Sequence, residues 1–258
     1  MMQKNTGAAS NGHRAKKQPA SRIRKIYTAR LVGRIFIFIA AILLVVFDKE
    51  QFHVLEGMNF LKEFSLLHLL WGVWLIDMLW QVIPAKSEIS LGSQKHFLAK
   101  FRPIAEKINP EALKRYIVST TKAAYRVFIL WGLLTAAIGA LYFADVIDET
   151  GLFMITIFFY VCDLICVLIW CPFRLMMKTR CCTTCRIFNW DHLMMFSPMV
   201  FVKSFYSLSL FAMSVVVWLV WEFCVLMHPE RFWEKTNEAL RCTSCTDKLC
   251  TQYCQKLR

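Results

Sequence analysis

The stretch LFMITIFFYVCDLICVLIWCPFRLM, residues 152–176, is apolar at almost every position, and its single acid, Asp163, stands near its middle. A run of this length matches the roughly 20 residues that carry an α-helix across a 30 Å hydrocarbon layer. Four further runs of the same character lie on either side of it, at 31–47, 64–83, 125–147 and 205–227. The expected fold is an all-α integral membrane protein with about five transmembrane helices, amphipathic cytoplasmic helices and a short Cys-rich C-terminal tail. The expected organisation is a basic, disordered arm (1–30), a transmembrane helical domain (31–227) and the Cys-rich tail (228–258). Composition agrees, because 57% hydrophobic residues exceed the roughly 45–50% of soluble domains.

Charge placement sets the expected orientation. The net charge is +13, yet the basic residues flank the apolar runs and form no groove-sized cluster, which argues against nucleic acid and for a lipid bilayer. Residues 1–34 hold nine Lys or Arg and no acid, whereas 48–63 hold two bases against four acids. The connector 84–126 carries nine bases against three acids, and 145–151 carry Asp145, Asp148 and Glu149 with no base. The alternation places the N-terminus in the cytoplasm of a plasma membrane protein. Arg34, at the start of the first run, is expected to snorkel to the headgroups. A fifth crossing after residue 204 would leave the tail outside, with 193–204 as an interfacial helix. The alternative is a re-entrant pair broken at Pro198, Lys203 and Ser204.

Two segments outside the spans suggest partners. Residues 3–20 lack apolar periodicity and read as a solvated arm that contacts anionic lipid headgroups. In the connector, Asn109-Pro110-Glu111 is a helix start, with Asn as cap and Pro at the first position. Upstream, His96, Phe97, Phe101 and Ile104 recur at helical spacing among Lys95, Lys100 and Arg102, the pattern of a basic amphipathic helix on lipid or against a protein partner.

The intramembrane polar residues are the first candidate site. His68, Asp77, Asp163 and Glu222 each cost a few kcal/mol in hydrocarbon and are expected to face protein or water. Cys162, Asp163 and Cys166 share one side of a helix, a patch suited to a cation or a proton. The competing reading is a protonated Asp163 bonded to a neighbouring helix, with the cysteines as small apolar packers. His68 and Asp77 lie nine residues apart, half a revolution out of phase, so they belong to different sites. Glu222 sits near a span end, within reach of water.

The cysteines are the second. None of the eleven precedes residue 162, and seven gather in two polar stretches. The first reads Cys181-Cys182-Thr183-Thr184-Cys185 and the second Cys242-x2-Cys245-x4-Cys250-x3-Cys254. A C-x2-C pair lets two thiolates converge on one metal, and two pairs complete a tetrahedral site. Cys182, Cys185, Cys242 and Cys245 would form a split zinc site. The tail alone offers Cys242, Cys245, Cys250 and Cys254 for zinc or an iron–sulfur cluster, although its spacing departs from ferredoxin runs. Thiol–disulfide chemistry is a third reading of the same pairs. A split site needs both stretches on one side of the membrane, which five crossings forbid.

No HExxH or G-x-S-x-G motif is present, so the sequence specifies no enzyme class. The expected function is a multi-pass membrane protein with Cys-rich, metal-binding and redox-linked segments. The alternatives are a small ion or substrate transporter centred on Asp163 and a non-catalytic membrane scaffold.

Overall fold

The computed structural model describes residues 21–83, 91–105, 109–179, 181–245 and 247–249. These form an all-helical bundle whose α-helices are α1 Arg22–Phe47, α2 Leu67–Val82, α3 Leu91–His96, α4 Pro110–Phe143, α5 Glu149–Leu168, α6 Phe173–Met177, α7 Asp191–Phe196 and α8 Phe205–Met227. Four of them, α1, α4, α5 and α8, are long and apolar enough to cross a membrane, and α2 is a shorter apolar helix of 16 residues. At 1.5 Å per residue α2 is about 24 Å long, several ångströms short of a hydrocarbon layer. The runs at 31–47, 64–83, 125–147, 152–176 and 205–227 all contain a helix. The helices start earlier than hydropathy indicates in α1 and α4 and end earlier in α5.

Polar caps explain those starts. Ser21 Oγ accepts the Arg24 amide at 3.2 Å, so α1 begins nine residues before its apolar run and takes in the basic residues Arg22 to Arg30. Asn109 Oδ1 accepts the amides of Glu111 and Ala112, with Pro110 at the first position, as the sequence indicates. Asp148 and Ser204 cap α5 and α8 through the amides of Gly151 and Ser207. Between α4 and α5 the chain reverses through Asp145 at φ 54°, a left-handed turn that an Asp side chain tolerates.

The two ends of the bundle are identified by their contacts. At one end, residues 55–57, 142–149 and 201–203 line a single surface depression, and the Phe205 amide bonds Gly57 O at 3.0 Å. At the other, Ser21 Oγ bonds Asp247 O at 2.6 Å, Asn237 Nδ2 bonds Lys95 O at 2.8 Å, and Lys95 pairs with Asp247. We call this the connector end. The start of α1, the connector and the tail are therefore neighbours.

That neighbourhood changes the expected path. After Trp190 the chain runs beside α4 and in the same direction: Phe128 meets Trp190, Trp131 Nε1 bonds Met194 O and Ser197 Oγ, and Phe143 meets Phe201. Helix α7 and the 3-10 segment Ser197–Phe201 thus carry the chain the length of the bundle, and α8 returns it. An interfacial helix at 193–204 and a tail opposite the N-terminus are both corrected by this geometry. The short rod holds because its Trp190, Met195, Phe196 and Met199 are buried in protein, where irregular backbone needs no lipid-facing hydrogen bonds. Gly139 of α4 lets it close in, since a Cβ there would collide with the Phe201 ring.

The half of the bundle away from the connector end is packed with aromatic side chains. Trp74 makes edge contacts with Tyr160 and Phe196, and Phe60 and Phe153 both meet Tyr206. Outside, Val32, Phe36 and Val46 on α1, Leu133 on α4, and Leu208, Phe223 and Leu226 on α8 are exposed. Apolar surface this extensive suits lipid better than water.

Connector residues 93–96 lie inside the molecule. Ser93, Gln94, Lys95 and His96 are buried, with the His96 ring against Trp221 and Phe232. The expected amphipathic surface helix is instead a short helix under the tail, because Lys95 finds its counter-charge in Asp247. The expected lipid-contacting arm at 3–20 lies outside the described residues.

Candidate functional site

Four helices bring charged groups together in the connector-side part of the bundle. Arg34 of α1 is buried, and its Nη1 stands 2.6 Å from Asp163 Oδ2 of α5 and donates to Tyr160 O at 2.7 Å. Its Nη2 is 3.6 Å from Asp77 Oδ2 of α2, and the guanidinium lies 3.9 Å from the Tyr160 ring centroid. Snorkelling of Arg34 is thereby corrected, since three acceptors and an aromatic face hold it inside. Asp77 Oδ2 also meets His192 Nε2 of α7 at 3.5 Å, and His192 Nδ1 lies 3.3 Å from Asp191 Oδ1. Gln81 Nε2, one turn along α2 from Asp77, donates to Asp191 Oδ2 at 2.8 Å. The result is a continuous chain: Asp163, Arg34, Asp77, His192, Asp191, Gln81.

A second constellation adjoins it. Cys162, Cys166, Cys171, Cys182 and Cys185 line one cavity of about 240 Å³ together with Asp163 and Asp191. All five are free thiols. They arrive from three places: the last turns of α5, the Cys171-Pro172 turn that opens α6, and the loop before α7. The Cys182 thiol donates to Cys166 O at 3.1 Å. Cys166 and then Cys182 beside it, with the backbone amides of Phe173 and Arg174, hold the Cys171 thiol well below the usual range. Cys182 is pushed up by its hydrogen bond to Cys171 and by burial, and burial raises Cys185 to about 11. Neighbouring thiols with unequal tendencies to ionise can support thiol–disulfide exchange.

Several sequence candidates thus converge, and others stand apart. Asp77, Asp163, Cys162, Cys166, Cys182 and Cys185 meet in or beside the two constellations. His68 sits at the far end of α2, stacked on Phe60 and Phe64 with Nε2 2.8 Å from Phe60 O, which is a packing role. Glu222 is partly buried and takes a two-point hydrogen bond from Arg186 at 2.9 and 2.6 Å and a third from Trp190 Nε1. Cys242 and Cys245 belong to the tail segment around Cys242–Ser244, while Cys250 and Cys254 lie outside the described residues. Among the described residues no group of three or more His, Cys, Asp or Glu is arranged to hold a metal ion.

Sequence reasoning passed over Arg34, Gln81, Asp191 and His192 as members of one network, and Cys171 as the central thiol. An Arg inside an apolar run is a signal for a buried partner, and Cys-Pro after a span marks a turn with amides directed at the sulfur. No protein family, curated protein or solved structure matches the chain.

Proposed function

We propose that this chain is a multi-pass membrane protein that carries out dithiol–disulfide exchange at its connector end, with Cys171 as nucleophile and Cys182 as resolving thiol. The observation that carries the reading is the placement of Cys171 on the wall of one cavity with Cys166 and Cys182. The described residues 21–30 and 91–105 and the start of α4, rich in Lys and Arg, lie at the connector end, whereas the acidic 48–63 and 145–151 lie at the other, so the positive-inside rule makes the connector end cytoplasmic. Cytoplasmic thiols are kept reduced, which makes the site a reductant.

The exchange runs in two displacements. The Cys171 thiolate attacks one sulfur of a substrate disulfide, forming a mixed disulfide and expelling the other sulfur as a thiolate. That thiolate takes up the Cys182 proton, and the Cys182 sulfur attacks Cys171 Sγ, releasing the second substrate sulfur, which is protonated from solvent. The substrate disulfide is reduced to two thiols as the protein dithiol is oxidised to one disulfide.

The test mixes the reduced full chain in mild detergent with an aromatic disulfide probe that releases a coloured thiol. A fast phase that liberates both halves of the probe is expected. Cys182→Ser should stop after the first half, with the mixed disulfide trapped on Cys171, and Cys171→Ser should abolish the phase. A fast phase that survives Cys171→Ser sinks the reading. Stoichiometric zinc, or iron with sulfide, held by these thiols after anaerobic purification would replace exchange by metal binding.

A further inference from the structure

We propose that the Cys171–Cys182 dithiol reduces hydroperoxides carried on hydrocarbon chains, which reach it from the bilayer through the cleft between α4 and α5. The assignment rests on the dithiol named above and adds a substrate class to it.

The shape of the thiol cavity carries the inference. Phe158, Cys162 and Cys166 line it at four-residue spacing, so they form one stripe along α5. From Phe158 to the helix end at Leu168 the stripe runs about 15 Å, at 1.5 Å per residue. Phe158 is exposed and lies midway along α5, a helix long and apolar enough to span, so the cavity opens there at the depth of the hydrocarbon. Trp131 of α4, Phe173 of α6 and Met194 of α7 continue the apolar wall. The charged side chains in it are engaged, Asp163 by Arg34, Asp191 by Gln81 and Arg174 by Thr179 O. An entering molecule therefore meets mainly apolar surface, which leads to Cys171 and Cys182.

A molecule that takes this route is dissolved in the bilayer and is mostly hydrocarbon. It must also carry a group that accepts two electrons from a dithiol. The cavity, at about 240 Å³, is smaller than the roughly 300–1,000 Å³ of common ligand pockets, so that group is compact. A hydroperoxide on an acyl chain meets all of these conditions. A thiol that ionises readily, with a resolving cysteine beside it, is the pair through which such oxidation proceeds.

The reduction runs in two steps. The Cys171 thiolate attacks the outer oxygen of the hydroperoxide, the O–O bond breaks, and the alkoxide takes a proton from water at the connector end and leaves as an alcohol. Cys171 is then a sulfenic acid. The Cys182 sulfur displaces its hydroxyl, which leaves as water with the Cys182 proton. One hydroperoxide becomes an alcohol and water as two thiols become one disulfide.

The experiment places the reduced full chain in phosphatidylcholine vesicles and adds either phosphatidylcholine hydroperoxide in the bilayer or hydrogen peroxide in the water. Hydroperoxide, lipid alcohol and free thiols are followed together. In a single turnover the lipid hydroperoxide should be converted to its alcohol at least about tenfold faster than an equal amount of hydrogen peroxide is consumed, because the cleft holds the chain beside the thiolate. Cys182→Ser should still form the alcohol and leave a sulfenic acid on Cys171 that dimedone traps, and Cys171→Ser should form none. Cys162→Trp, which fills the stripe, should bring the two rates together. An unchanged gap in that variant would trace the preference to concentration of the lipid in the bilayer and overturn the proposal. Lipid alcohol formed by Cys171→Ser, or lipid hydroperoxide consumed no faster than hydrogen peroxide, also overturns it. The aromatic disulfide probe is run in parallel. Reaction with the probe but not with the lipid hydroperoxide removes this proposal and leaves the exchange reading, and reaction with the lipid hydroperoxide alone does the reverse. Reaction with neither removes both.

Discussion

Arg34 and Asp163, 129 residues apart in the chain, form an ion pair at 2.6 Å that joins α1 to α5 within the apolar bundle. The same arginine reaches Asp77 on α2, so three helices share one cation. In hydrocarbon the usual drive to bury apolar surface is absent between helices, and polar contacts of this kind fix which faces meet. Asp163 therefore faces the bundle, with Arg34 as its partner.

Removing one partner leaves the other charge buried. Asp163→Asn is expected to destabilise the protein by about 3–5 kcal/mol, the range for breaking a buried pair. Asp163→Asn combined with Arg34→Gln should cost clearly less than the sum of the single changes, because the contact between the two is then lost once and Asp77 keeps His192 beside it. Melting temperatures of the four proteins in one detergent decide it, and additive losses would mean the pair is not coupled.

Alkylation should single out Cys171. Its thiol is held well below the usual range with Cys166 and Cys182 beside it, whereas Cys182 and Cys185 are raised. A thiolate persists on Cys171 as the pH falls to mildly acidic values, while thiols with raised values stay protonated well into the alkaline range. Iodoacetamide at mildly acidic pH, followed by peptide mass spectrometry, is expected to label Cys171 ahead of Cys182 and Cys185. Replacing Cys166 and Cys182 together by Ala should shift Cys171 labelling to higher pH. Equal labelling of the three in the native protein would contradict the assignment.

Topology gives a third test. Because Ser21 and Asp247 touch, reporters fused after Ala105, Phe188 and Lys235 should report the cytoplasm, and those after Phe60 and Thr150 the opposite side. An external signal at Lys235 would restore a five-pass path and separate the tail from the connector.

The close approach at Gly139 gives a fourth. Gly139→Ala places a methyl group into the Phe201 ring and should lower the melting temperature, at a cost of about 1–3 kcal/mol for an overpacked contact. Adding Phe201→Leu should recover part of the loss. A neutral Gly139→Ala would mean the Ser197–Phe201 segment can yield without cost.

The sequence by itself determined the all-helical character, the positions of the helices long and apolar enough to cross a membrane and the Asn109 cap, because length, hydropathy and capping act within a few residues of chain. It also picked out Asp77, Asp163 and the cysteines near them, since ionisable or thiol side chains stand out against an apolar run wherever the helix is placed. Only the tertiary structure decided what those groups meet. Arg34 reads alike as a snorkelling or a buried residue until α5 and α2 supply its carboxylates. Residues 191–201 are too short and too polar at their start to signal a traverse by hydropathy, and they make one because α4, α5 and α8 enclose them. That enclosure puts the tail at the connector end and sets His192 and Asp191 beside Asp77. The C-x2-C spacing pointed to pairs within each stretch, yet Cys171, outside both, became the central thiol. Sequence spacing reports neighbours along one element, whereas a site assembled from helix ends depends on which ends the packing brings together.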